Sequence, residues 1–188
     1  GSLTDGNGGA NYTVSFANNP TGVITPKPIT VTALANSKPY DGNTSAAAVP
    51  TVSQVGADPN VALGVKFRAD VNGFVSGIRF YKDALNTGTH VGTLFAANGA
   101  PLASATFSGE TGSGWQQVSF SSPVSITANT TYVAAYHTTV GHYSADQNYF
   151  ALQGVDSPPL HALSEAVAVG NGVYGYGAAG VFPNQSFR

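Results

Sequence analysis

From Val61 onward, short runs of alternating apolar and polar residues are separated by Gly, Asn and Pro turns. Val61, Leu63, Val65 and Phe67 alternate with Lys66 and Arg68, the period of a half-buried strand. Phe74, Ile78 and Phe80 form one face of a second strand. Further strands are expected at 91–95, 102–107, 115–120 and 132–137. Only residues 159–169 carry a short helical pattern, which Gly170 stops. Many short strands at this spacing predict an all-β fold, an antiparallel β-sandwich of jelly-roll-like type.

The first 50 residues have a different texture. Asn11-Tyr-Thr-Val-Ser-Phe16 and Ile29-Thr-Val-Thr-Ala33 alternate apolar with hydroxyl-bearing residues, and Asp5-Gly-Asn7 and Asp41-Gly-Asn43 read as turns. Pro26 and Pro28 place a hinge or a sheet edge between the strands. The expected division is residues 1–55 as repeat strands and linker, and residues 56–188 as the sandwich.

Two families are resembled. Leu3-Thr-Asp-Gly-Asn-Gly-Gly-Ala-Asn-Tyr-Thr-Val14, Gly22-Val-Ile-Thr-Pro-Lys27 and Ser37-Lys-Pro-Tyr-Asp-Gly42 resemble the YDG (MBG-type) repeats of bacterial surface adhesins, as the end of one repeat and the start of the next. A half-repeat does not close its own core, so these strands are expected to pair with another domain or molecule. Residues 58–187 resemble the DUF4082 family of bacterial extracellular proteins. That resemblance rests on Leu63-Gly-Val-Lys-Phe-Arg68, Gly73-Phe-Val-Ser-Gly-Ile-Arg-Phe-Tyr-Lys82, Asn86-Thr-Gly-Thr-His-Val-Gly-Thr-Leu94, Gly114-Trp-Gln-Gln-Val118, Ile126-Thr-Ala-Asn-Thr-Thr-Tyr-Val133 and Pro159-Leu-His-Ala-Leu163. It implies a sandwich module of a large extracellular protein, with no settled activity. The family usually continues beyond Phe187 into one more strand. A sandwich without that strand exposes an edge that invites strand addition, and residues 11–33 are the expected donor.

Composition narrows the function classes. Charged residues make up 9% of the chain, against roughly 25% in an average globular protein, which suits a secreted or surface-displayed β protein. A net charge of −2 and seven scattered Lys and Arg argue against nucleic acid as a partner. No run approaches the ~20 apolar residues of a membrane helix. With no Cys, disulfides, thiolate metal sites and Cys nucleophiles are excluded. With no Met and no secretory leader, the chain reads as a processed protein or an excised piece, and Gly1-Ser2 as a cloning remnant.

Candidate chemistry is sparse. His90, His137, His142 and His161 could gather around a transition metal, or each could pin a turn. Trp115, Tyr136, Tyr143 and Tyr149, with Asp146 and Asn148 at their rim, could stack on sugar rings, or pack as ordinary sandwich aromatics; Tyr174 and Tyr176 belong to the same set. Trp115 has parity opposite to Val118 and Phe120, so a regular strand points it away from the core. Asp70, Asp83, Asp146 and Asp156 lie near turns and are the candidates for calcium, and Glu110 shows no partner. There is no nucleophile elbow or phosphate-cradling loop. The reading is a non-enzymatic extracellular module for adhesion or structural assembly, possessing a route to polymers through strand donation. Its partners would be other copies or neighbouring domains. The alternative is a carbohydrate-binding module that uses the aromatic loop, with extracellular glycans as partners.

Overall fold

The structure is a computed structural model that describes Pro50 and residues 56–186. The strands and turns expected before residue 50 lie outside the described residues. The six expected strands form as β1 (Val61–Ala69), β2 (Gly73–Lys82), β3 (His90–Ala96), β4 (Pro101–Thr106), β5 (Gly114–Ile126) and β6 (Tyr132–Thr138). Four shorter ones follow: β7 (Val155–Ser157), β8 (Leu160–Ala162), β9 (Val173–Tyr176) and β10 (Gln185–Ser186). The helical pattern yields a single turn, α1 (Glu165–Ala168), which ends where Val169 and Gly170 adopt φ of 52° and 93°. Among the described residues no helix is long and apolar enough to cross a membrane.

The strands build a two-layer, all-antiparallel sandwich of unequal sheets. The large sheet runs β10-β9-β1-β6-β3-β4, with the β7–β8 hairpin added beside the end of β1. The small sheet is β2 and β5. Between the layers lie Phe67, Ile78, Phe80, Leu94, Phe107, Phe120, Ile126 and Tyr132. The opposite face of the large sheet buries Phe95, Val133, Ala135 and Val173, with Phe182 edge-on to Phe95 at 5.3 Å.

One expectation about parity fails. Pairing of β2 with β5 breaks between Val75 and Gly77. The break shifts the pleat, so Val75, and not Phe74, faces inward together with Ile78 and Phe80. Phe74 is 73% exposed. Gly77 sits at the break, where a Cβ would lie 2.1 Å from the Val118 carbonyl oxygen. Beyond the break β5 is regular, and Trp115 points outward as its parity requires.

β1 is continuous, but its outer edge is shared. β9 pairs with residues 61–64 and β8 with residues 67–69. Asn171, 1% exposed, fills the gap with its side chain. Its Oδ1 accepts from the Lys66 N–H at 2.7 Å, and its Nδ2 donates to the carbonyls of Lys66 (2.9 Å) and Leu163 (2.6 Å). A side-chain amide thus completes a backbone ladder.

Candidate functional site

The unequal sheets leave a groove. Beyond β2 no described strand continues the small sheet, whereas the large sheet runs on through β1 to β8 and β9. That uncovered strip is the floor of an open cavity of about 920 Å³. Leu63, Val65 and Phe67 of β1 and Leu160 and Ala162 of β8 form the floor, and Val75, Gly77, Ile78 and Arg79 of β2 form one wall with Trp115 above. The other wall is the loop from Tyr143 to Phe150.

Local contacts fix that loop. Gly141 starts it with φ 80°, and a Cβ there would lie 2.2 Å from the Asp58 backbone nitrogen, so only glycine allows the crossing. The His142 N–H donates to the Gly56 carbonyl at 3.1 Å, and the Glu165 N–H to the Phe150 carbonyl at 2.8 Å. The hydroxyls of Tyr143 and Tyr176 both donate to Asp58 Oδ2, at 3.2 and 3.3 Å. Burial, and then the Asp58 charge, push the Tyr143 hydroxyl up to about 12, so it stays a donor at neutral pH. Tyr176 shifts upward for the same reasons. Opposite, the Arg79 guanidinium lies 5.2 Å from the Trp115 ring centre, and Tyr81 meets that ring edge-on at 5.6 Å. Trp115 (40% exposed), Tyr149 (48%) and Tyr176 (53%) are the accessible aromatics among these.

Five of the six expected binding residues, Trp115, Tyr143, Asp146, Asn148 and Tyr149, therefore line one cavity. Tyr136 does not join them. It stacks on Phe80 at 4.1 Å in the inter-sheet core, because it shares the inward parity of Tyr132 and Ala134. Its hydroxyl is driven well above the usual tyrosine range by burial. Sequence reasoning missed Asp58 and Arg79, for which no pattern existed, and left Tyr174 and Tyr176 unassigned to the groove they line.

The histidines separate. Among the described residues no three metal-ligating side chains converge. His137 Nε2 faces the Gly177 carbonyl oxygen at 2.9 Å. His161 lies between Asp156 (Nδ1 to Oδ1, 2.7 Å) and Asp70 (Nε2 to Oδ2, 2.8 Å), one carboxylate on each ring nitrogen. Asp83 caps its own turn, its Oδ1 accepting from the Leu85 N–H at 2.9 Å. The calcium candidates Asp70 and Asp156 are thus tied to an imidazole.

His90, fully buried, organises a polar network that Glu110 joins from the β4–β5 loop. Glu110 takes Lys82 Nζ at 2.8 Å and His90 Nδ1 at 2.9 Å. His90 Nε2 faces Asn86 Oδ1 at 3.0 Å, and the Thr138 hydroxyl donates to the same oxygen at 2.6 Å. Burial lowers the His90 pKa despite Glu110, which favours the neutral ring. A neutral ring with Nδ1–H toward Glu110 needs a donor at Nε2. In the structure Nε2 faces the Asn86 oxygen that also takes the Thr138 hydroxyl, and Asn86 Nδ2 has no hydrogen-bond partner among the described residues. None of these five residues lines the groove.

No curated protein matches the chain. The family model described as a domain of unknown function, DUF4082, matches residues 47–188, and with most of its length and all of the sandwich inside that match, the chain belongs to the DUF4082 family.

Proposed function

We propose that this protein is a non-enzymatic module of a bacterial surface or secreted protein, working outside the cell in adhesion or structural assembly. The groove is where it takes its partner, an extended strand from another copy or a neighbouring domain. One observation carries this reading: the strip of large sheet left uncovered beside the β2 edge, which pairs with no further strand among the described residues. A third strand laid against β2 would gain backbone hydrogen bonds from that edge. Its inward side chains would rest on Leu63, Val65 and Phe67. Segments 11–16 and 29–33, in the part that resembles YDG/MBG-type adhesin repeats, carry the required alternation of one apolar and one hydroxyl face. They lie outside the described residues, as candidate donors. Trp115, the single Trp and a wall of the groove, reports on occupancy. A synthetic peptide of residues 26–36 should shift its emission to the blue and saturate. A scrambled peptide with the same effect would refute the reading.

A second reading is favoured by the aromatic mouth. Trp115 and Tyr149, with Asp146 and Asn148 nearby, offer ring faces and polar groups to a sugar. Binding on a glycan array that is lost in Tyr149→Ala would select it. Tyr149 is the better probe than Tyr143, which is buried and holds Asp58.

A further inference from the structure

We propose that the β7–β8 hairpin is a pH-responsive wall of the groove, clamped to the end of β1 by His161 standing between Asp70 and Asp156. The inference rests on the groove reading for its consequence but not for its geometry.

The hairpin is short, three residues to each strand. It pairs with β1 over three residues, Phe67 to Ala69, flanked by two backbone bonds, the Asp70 N–H to the Pro159 carbonyl at 2.9 Å and the Leu163 N–H to the Lys66 carbonyl at 3.1 Å, and Leu160 packs against the inter-sheet core. The hairpin supplies Val155, Ser157, Leu160 and Ala162 to the groove. His161 adds a side-chain tie. Asp156 is its cross-strand partner on β7, and Asp70 reaches it from beyond β1; Arg68 is its cross-strand neighbour on β1 and bonds through Nε to the Thr131 hydroxyl at 2.8 Å. The contact with Asp156 has good hydrogen-bond geometry, while that with Asp70 is an ion pair off the ideal direction.

An imidazolium satisfies both carboxylates, since both ring nitrogens carry a proton. A neutral ring carries one, so one carboxylate then faces a lone pair and the clamp opens on one side. The hydrogen bond to Asp156, followed by that to Asp70, raises the pKa of the ring above 6.5. The clamp is therefore complete below 6.5 and is lost as pH rises through the raised value. The hairpin wall should loosen on the alkaline side, and strand binding should weaken with it.

Amide hydrogen exchange of the full chain tests this without a ligand. Protection of residues 155–162, corrected for intrinsic rate and referenced to β3, is compared at pH 5.5 and pH 8.5. Wild type should lose protection several-fold at the higher pH, with a midpoint matching the His161 ring signals in an NMR titration. His161→Gln should show low protection at both values. Asp70→Asn should lower the ring midpoint. Equal wild-type protection at the two pH values, or the same change in His161→Gln, would overturn the proposal. If the hairpin responds but no strand binds, the groove reading fails alone; if strands bind and the hairpin is indifferent to pH, the clamp fails alone.

Discussion

Replacing Glu110 with alanine tests whether the buried polar network holds the sandwich together. The carboxylate meets Lys82 and His90 at 2.8 and 2.9 Å, with side-chain exposures of 11% for Glu110, 10% for Lys82 and 0% for His90. Removing one partner of such a group leaves an uncompensated charge, which costs ~3–5 kcal/mol when burial is complete. Lys82 retains some contact with water, so about 3 kcal/mol is expected, or roughly 10 °C in Tm for a domain of this size. Glu110→Gln, which keeps the shape and an acceptor, should lose about half of that. Burial pushes the Glu110 pKa up, but hydrogen bonds from Lys82 and His90 outweigh it, and the net shift is downward from 4.5. Its contribution is present above 4.5 and is lost as pH falls through the lowered value. His90 is lowered from 6.5 by burial, so its contribution is present above 6.5 and is also lost toward acid. Chemical denaturation from pH 8 to pH 3 should thus show wild-type stability falling in two limbs, with the lower one missing in the alanine variant. A Glu110→Ala protein within about 0.5 kcal/mol of wild type, the range of an ordinary surface change, would refute this account of the network.

Other perturbations probe the fold. Val75→Ala should cost about 1–2 kcal/mol and Phe74→Ala no more than ~0.5 kcal/mol, the reverse of what an unbroken β2 would give; urea denaturation decides between them. Asn171→Ala removes the partner of the Lys66 N–H and of the Leu163 carbonyl, while Leu163 N–H keeps its bond to the Lys66 carbonyl, and should cost about 2–3 kcal/mol. The loss should concentrate in faster amide exchange at β8 and β9, and unchanged exchange there would contradict the role assigned to Asn171.

Period and parity made much of the sandwich legible. Six strands, the outward Trp115 and the stop at Gly170 follow from side-chain alternation and turn residues, which act within a few positions. What was not legible depends on contacts made across the chain. The break at Gly77 shows only when β2 is laid against β5, so Phe74 reads as core from sequence and is not. Tyr136 looks like its loop neighbours in composition, yet its strand parity sends it to Phe80. Glu110 seems isolated until the β4–β5 loop brings it to His90, 20 positions earlier. The aromatic loop was recognisable as a cluster of residue types. That Asp58 and Gly141 fold it over β1 was not, because no local pattern encodes that crossing.

The most direct test of the central claim is the mass in solution, by light scattering over a concentration series. Three proteins are compared: the full chain, a variant lacking residues 1–35, and Val65→Lys, which places a charge on the groove floor. Strand donation into the groove predicts concentration-dependent assembly of the full chain, with both variants monomeric and still β-rich by circular dichroism. A full chain that stays monomeric throughout, or a Val65→Lys protein that assembles like wild type, would contradict it.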